Sequence, residues 1–429
     1  MPDVLRWRAW QRVPRSPLVF LFGTMQIMVR KRMLYGGLVG AGIILTMLLV
    51  LGVSPAEGAY PEAVTVTENA SDFQELSRRF EKIADEKGGV YAYNVLLRAN
   101  LPPNADVHLL GHAIGDILYT QEGVDGIADC TQDFRNACSH SIVIGALNEF
   151  GEPALEMIRE ACGKAPGGSG AYTMCFHGLG HGVFAYFEYE IPETIDFCKK
   201  TGTEKYFNRE YVECVGGMVM ELMGGGGHNK LSWEASREKY LTKDPLAPCS
   251  TSFIPDDVKG ICYMYLTPHL FERAGADLAM PQKKEIAKSF LFCDAIPRTQ
   301  EENRRSCFGG IGKEFPLLAV ARDTRAINSA NDQALLVMRD LCTVAPHEEA
   351  YGRCTDAIVD SLFWGGENDP DIAIRFCALA STSDEKDRCF SYLFDVAAFY
   401  FTRNAVQDFC VRVPEVYEAS CTNRFEARS

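Results

Sequence analysis

The chain has 429 residues, a net charge of −14, 47% hydrophobic residues and 23% charged residues. These values describe a folded globular body and exclude a disordered, collagen-like or polytopic membrane chain. The charge is uneven. Arg6, Arg8, Arg12, Arg15, Arg30, Lys31 and Arg32 against Asp3 give the first 32 residues +6, which leaves −20 on the remainder. An acidic body excludes nucleic acid as a partner, because phosphate neutralisation needs a basic face.

Residues 33–53, Met33 to Val53, form an uncharged apolar run preceded directly by Arg30, Lys31 and Arg32. About 20 such residues span a bilayer core as a helix, and the positive-inside rule puts the basic segment 1–32 in the cytoplasm. The alternative is a cleaved signal, with a start at Met25, Met28 or Met33 and small residues at Ala56 and Gly58. Either route exports the rest of the chain: a linker over 54–70 and an extracytoplasmic domain over 71–429.

The 16 cysteines sort into consecutive pairs. Gaps within pairs run 8, 13, 16, 13, 14, 12, 12 and 11; gaps between pairs run 24, 23, 35, 31, 35, 23 and 21. No gap is short enough for a Cys-x-x-Cys metal or redox motif. Cys162, Cys198, Cys293, Cys342, Cys377 and Cys410 each end an amphipathic segment, and Cys175, Cys214, Cys307, Cys354 and Cys389 each open another. Apolar residues recur at three and four positions, the helical period. Ser71 to Gln74 reads as a capping box, and Val90 to Ala99 with Val107 to Tyr119 as a cysteine-free first hairpin.

The pattern predicts an all-α domain of eight to nine stacked α/α hairpins, a solenoid or superhelix, with a disulfide staple in most repeats. Both cysteines of a pair fall at one end of a hairpin. That predicts the bridges Cys130–Cys138, Cys162–Cys175, Cys198–Cys214, Cys249–Cys262, Cys293–Cys307, Cys342–Cys354, Cys377–Cys389 and Cys410–Cys421. Pairing each second cysteine with the next repeat's first is the alternative, and it orphans Cys130 and Cys421. The architecture resembles that of cysteine-rich helical-repeat proteins; their regular period and signature are absent.

Five of the eight histidines fall on three successive opening helices. His140 and His177 lie two residues after the second cysteine, His181 six after it, and His108 and His112 repeat the His177/His181 spacing. Equivalent positions on stacked helices face one patch, so His108, His112, His140, His177 and His181 are candidate ligands for zinc, copper or iron, with Asp116 a further ligand or support. Later repeats place Gly216 and Met220, Met264 and Pro268, Gly309 and Lys313, Asp356 and Asp360, and Ser391 and Asp395 in these positions, so the fold itself does not require histidine there. A polar groove without metal and plain packing are the alternatives. Gly178, Gly180 and Gly182 around the second pair predict either a close ligand or close helix packing. His-Gly-Leu-Gly-His-Gly resembles an element of lanthionine-cyclase-like toroids, whose zinc-binding cysteines have no counterpart here. Glu221 and His228, at a Gly-rich run, are possible accessory groups, Glu221 as a base.

Function follows as a membrane-anchored, extracytoplasmic metal-binding repeat protein. The alternatives are a metal-dependent hydrolase or oxidase, and a metal-free scaffold holding a protein, peptide or glycan in its groove. A tag at the C-terminus is expected to react with a membrane-impermeant label in intact cells; protection of that tag would reverse the topology.

Overall fold

A helical hairpin with one apolar side cannot bury that side alone, and this chain solves the problem by stacking hairpins. The computed structural model describes residues 60–68, 73–101, 106–225, 229–320, 324–364, 369–401 and 403–426. The expected membrane segment 33–53, the capping box at Ser71 and His228 lie outside them. Among the described residues all regular structure is helical, and no helix is long and apolar enough to cross a membrane. Tyr60–Ser429 forms one compact unit. The short helix Glu62–Thr65 belongs to it, with Ala63 buried and Glu62 paired to Lys87.

The inner helices are α1 (Val107–Glu122), α2 (Ala137–Phe150), α3 (Gly168–Tyr186), α4 (Arg209–Gly224), α5 (Lys259–Tyr265), α6 (Glu301–Ala319), α7 (Glu348–Phe363) and α8 (Ser383–Tyr400), and each packs against the next. Outer helices such as Leu155–Cys162, Ile191–Lys199 and Asp332–Cys342 carry one apolar stripe facing inward, with Ile158, Ile195 and Leu335 buried. The inner helices are enclosed on more sides. In α3 nearly every residue from Gly170 to Phe184 is buried, so this helix is apolar around most of its circumference. Each fully buried residue such as Phe176, Leu222 or Phe315 contributes about 1.5–3 kcal/mol.

Disulfides join the cysteines as consecutive pairs, with Cα–Cα distances from 5.3 Å at Cys377–Cys389 to 5.9 Å at Cys162–Cys175. The described residues hold no free cysteine. Closing loops of this length stabilises by roughly 3 kcal/mol each in the chain-entropy model. Two hairpins depart from the regular unit. Cys130 follows a 3₁₀ segment, Gly123–Asp129, instead of an outer helix. Cys249 lies in turns after Lys230–Tyr240 and not at a helix end. Its bridge to Cys262 forms all the same, at a Cα–Cα distance of 5.6 Å, because Cys262 sits in α5 as the other second cysteines sit in their inner helices. Helix α5 is short because Pro268 follows closely, and a second helix starts at Thr267.

The concave side is not an open groove. The array curls until its halves touch: α8 packs on α3, the Arg135 guanidinium lies 3.8 Å from the centre of the Trp364 ring, and Arg325 Nη1 donates to the Ala99 carbonyl at 2.9 Å. The inner helices thereby surround a central pocket.

Glycine sets how closely these helices approach. A Cβ on Gly180 of α3 would overlap the Cys214 carbonyl oxygen of α4, and one on Gly217 would overlap the His177 carbonyl oxygen. Of the two readings of the glycine-rich motif, Gly180 serves helix packing. Gly178 serves the histidines, since its missing Cβ leaves the space that the His140 ring fills. Gly180→Ala is expected to lower stability by about 1–3 kcal/mol in a thermal or denaturant melt, since backbone must move. Gly224→Ala, with nothing within 4 Å of the added carbon, is expected to leave it within about 0.5 kcal/mol or improve it slightly.

Candidate metal centre

Asp106 starts α1 by accepting a hydrogen bond from the Leu109 amide at 2.9 Å, which places His108 and His112 one turn apart on one face. Before α2 the backbone takes three left-handed residues in a row, Phe134, Arg135 and Asn136, with φ of 58°, 58° and 62°. None is glycine, so the turn carries strain of a kind that clusters at functional sites. It aims the Phe134 carbonyl at His108 and starts α2 so that His140 points at α1.

The five histidines lie in a continuous group. Ring centres are 4.7 Å apart for His108 and His112, 6.1 and 5.8 Å from these to His140, 5.9 and 6.0 Å from His140 to His177 and His181, and 5.3 Å between the last two. The ligand-forming nitrogens of His108, His112 and His140 all lie within 4.8 Å of one another, so these three could hold a metal ion. The described residues hold no other such group of three, so His177 and His181 adjoin this one through His140 without joining it. Asp116 is on the exposed face of α1 and lies outside the group as well.

The hydrogen bonds assign the tautomers. His108 Nδ1 is 2.6 Å from the Phe134 carbonyl oxygen, which only accepts, so Nδ1 carries the proton. Ser141 gives its one hydroxyl proton to the His112 carbonyl at 2.9 Å, so at 3.0 Å it accepts from His112 Nδ1–H. In neutral rings both Nε2 atoms then present lone pairs, and these face each other at 3.2 Å. Two lone pairs at that distance repel unless a cation lies between them. Nitrogens bound at 2.0–2.1 Å to a tetrahedral metal stand about 3.3 Å apart, close to what is seen. A shared proton is the other cation, and burial opposes it by lowering the His108 pKa.

His140 is 2% exposed, and neither of its ring nitrogens has a hydrogen-bond partner. Burial, with the neighbouring histidines, pushes its pKa well below the usual value, which keeps the ring neutral as a ligand must be. His181 donates through Nδ1 to Glu221 Oε2 at 3.0 Å, the support commonly given to metal-bound or catalytic histidines. His177 Nδ1 stands 3.5 Å from Glu213 Oε2, and burial lowers its pKa too. Burial pushes the Glu213 carboxyl up, but Arg209 and His177 together outweigh it and hold the group below its usual range.

Glu221 was legible in the sequence as an acid beside the patch. Glu213, Ser141 and the Phe134 carbonyl were not: they reach the histidines across neighbouring helices, and no sequence spacing signals that. Outside the patch, His347 caps α7 by accepting from the Ala350 amide, a structural role.

Comparison with protein-family models, with curated proteins and with solved structures finds no match. The functional reading therefore rests on the chemistry of the site.

His108, His140 and His177 share lowered pKa values, so their contribution to stability is complete above the unfolded value near 6.5 and is lost as pH falls below it. Chelator-treated protein is expected to show a lower urea midpoint at pH 5.5 than at pH 7.5, and His140→Gln to remove part of that difference.

Proposed function

We propose that this is an extracytoplasmic metal protein, held at the membrane by residues 33–53, whose centre is a three-histidine site for zinc, copper or iron formed by His108, His112 and His140. The observation that carries the reading is the pair of facing Nε2 lone pairs at 3.2 Å, next to a buried His140 with two unpartnered nitrogens. Neutral imidazoles suit these first-row metals, and three protein ligands leave a fourth position for water or a substrate. Eight disulfides support export, because such a set persists only in an oxidising compartment. The apolar run behind Arg30 to Arg32 supports the anchor.

A second reading, a metal-dependent hydrolase or oxidase, is favoured by His181. Its ring stacks on His140 at 6.0 Å, and Glu221 fixes its Nδ1–H, so Nε2 is left to accept a proton beside the metal. When bound, the metal would supply Lewis acidity or an activated water.

Elemental analysis of protein purified without chelator and then offered Zn²⁺, Cu²⁺ or Fe²⁺ is expected to find about one metal per chain. His108→Ala with His112→Ala, or His140→Ala alone, is expected to abolish retention with the disulfide map unchanged. His177→Ala is expected to retain the metal. Absence of stoichiometric metal in the wild type, or its loss only on changing His177, would overturn the three-histidine site.

A further inference from the structure

The central pocket is a second built site, separate from the three-histidine group but adjoining His177, whose ring centre lies 5.2 Å from that of Tyr265. It has a volume of about 180 Å³, room for roughly six waters or one small organic molecule, and it exists only because the array curls. Its walls come from both halves of the chain: Asn136 and Arg209 from one side, Asp360, Trp364 and Tyr400 from the other, with Tyr265 and Lys313 between them.

Three observations define what it would take. First, its charged groups are of both signs. Arg209 lines the pocket with 44% of its side chain exposed, and bonds Glu213 through Nε at 2.9 Å. Lys313 is held by Glu314 at 2.9 Å and lies 4.8 Å from the centre of the Tyr265 ring. Against these stand Glu213 and Asp360. Secondly, Asp360 has an incomplete electrostatic environment. The Tyr392 hydroxyl donates to it, but Asp356 lies one turn away on the same helix face, and burial pushes its carboxyl up to about 6. A cationic group arriving in the pocket would relieve it. Thirdly, two neutral polar side chains, the Asn136 amide and the Tyr265 hydroxyl, line the pocket and are 4% and 8% exposed. They offer a pocket occupant neutral hydrogen-bonding groups beside the charged ones.

A simple anion would meet Asp360 and Glu213; a simple cation would meet Arg209 and Lys313. From this layout we propose that the pocket binds a small zwitterion with the charge pattern of a free α-amino acid. Its ammonium is set against Asp360, its carboxylate against Arg209 and Lys313, and its remaining surface against the Tyr265, Trp364 and Tyr400 rings. The proposal does not depend on the metal centre, because no pocket residue named here belongs to the three-histidine group.

The test is calorimetric titration of the full chain, after chelator treatment, with a panel of α-amino acids, and with a primary alkylamine and an alkyl carboxylate as single-charge controls. At least one amino acid is expected to bind about tenfold or more tightly than either control, and to raise the thermal midpoint. Asp360→Asn, which keeps the side-chain shape, is expected to weaken that binding about tenfold. Tyr265→Phe is expected to weaken it by a smaller factor with the disulfide map unchanged. No response to any amino acid at about 10 mM overturns the proposal, as does an alkylamine or a carboxylate that binds as tightly as the amino acids. Unchanged affinity in both variants overturns it too.

Discussion

The staple at one end of each hairpin is the constraint on which the rest depends. In most hairpins a disulfide ties the end of an outer helix to a point inside the first two or so turns of an inner helix, so the stapled inner helices share a register counted from their cysteine. With that register, the side chains two and six residues after the second cysteine turn toward the axis in several repeats. Cys138 sends His140 inward, Cys175 sends His177 and His181, Cys307 sends Lys313, and Cys354 sends Asp360. One covalent rule thus delivers histidines at one part of the axis and charged groups at another.

An interior this polar has an energetic cost that other features offset. Buried imidazoles and carboxylates lose hydration, and each needs a neighbour to compensate. The Glu221–His181 bond does so directly, and Arg209 with His177 does so for Glu213. The apolar layer between inner and outer helices, with Phe176, Leu222, Phe308 and Phe315 fully covered, supplies the stability that lets the axis be spent on chemistry. His140, 2% exposed, has neither ring nitrogen partnered, whereas His177 and His269 each have only Nδ1 as a buried nitrogen without a hydrogen bond.

Glycine and the curl complete the arrangement. Close contact of α3 with α4 through Gly180 and Gly217 holds His177 and His181 against Glu213 and Glu221. The empty side of Gly178 admits the His140 ring between the two histidine pairs. The contact of Arg135 with Trp364 turns a concave face into a lined pocket, with the strained turn at Phe134 to Asn136 serving the histidine group on one side and the pocket on the other.

The sequence by itself determined the all-helical repeat, its consecutive disulfide pairing and the set of five histidines. These are legible because period and covalent pairing are local: a helix repeats every 3.6 residues, and cysteines in strict alternation of short and long gaps need no knowledge of distant contacts. Even the irregular fourth pair, Cys249 with Cys262, follows from spacing alone, although the helix before it does not reach its cysteine. The register after each second cysteine put Lys313 and Asp360 at the histidines' equivalent positions, but only the structure shows them lining the pocket. Only the tertiary structure decided that three of the histidines form one ligand group while His177 and His181 turn to Glu213 and Glu221, and that Asp116 faces outward. It alone decided that the array curls around a pocket. Helix separation, the tilt accumulated over successive repeats and the pairing of Arg135 with Trp364 across more than 200 residues are sums over many packing contacts, and no single spacing in the chain encodes such a sum.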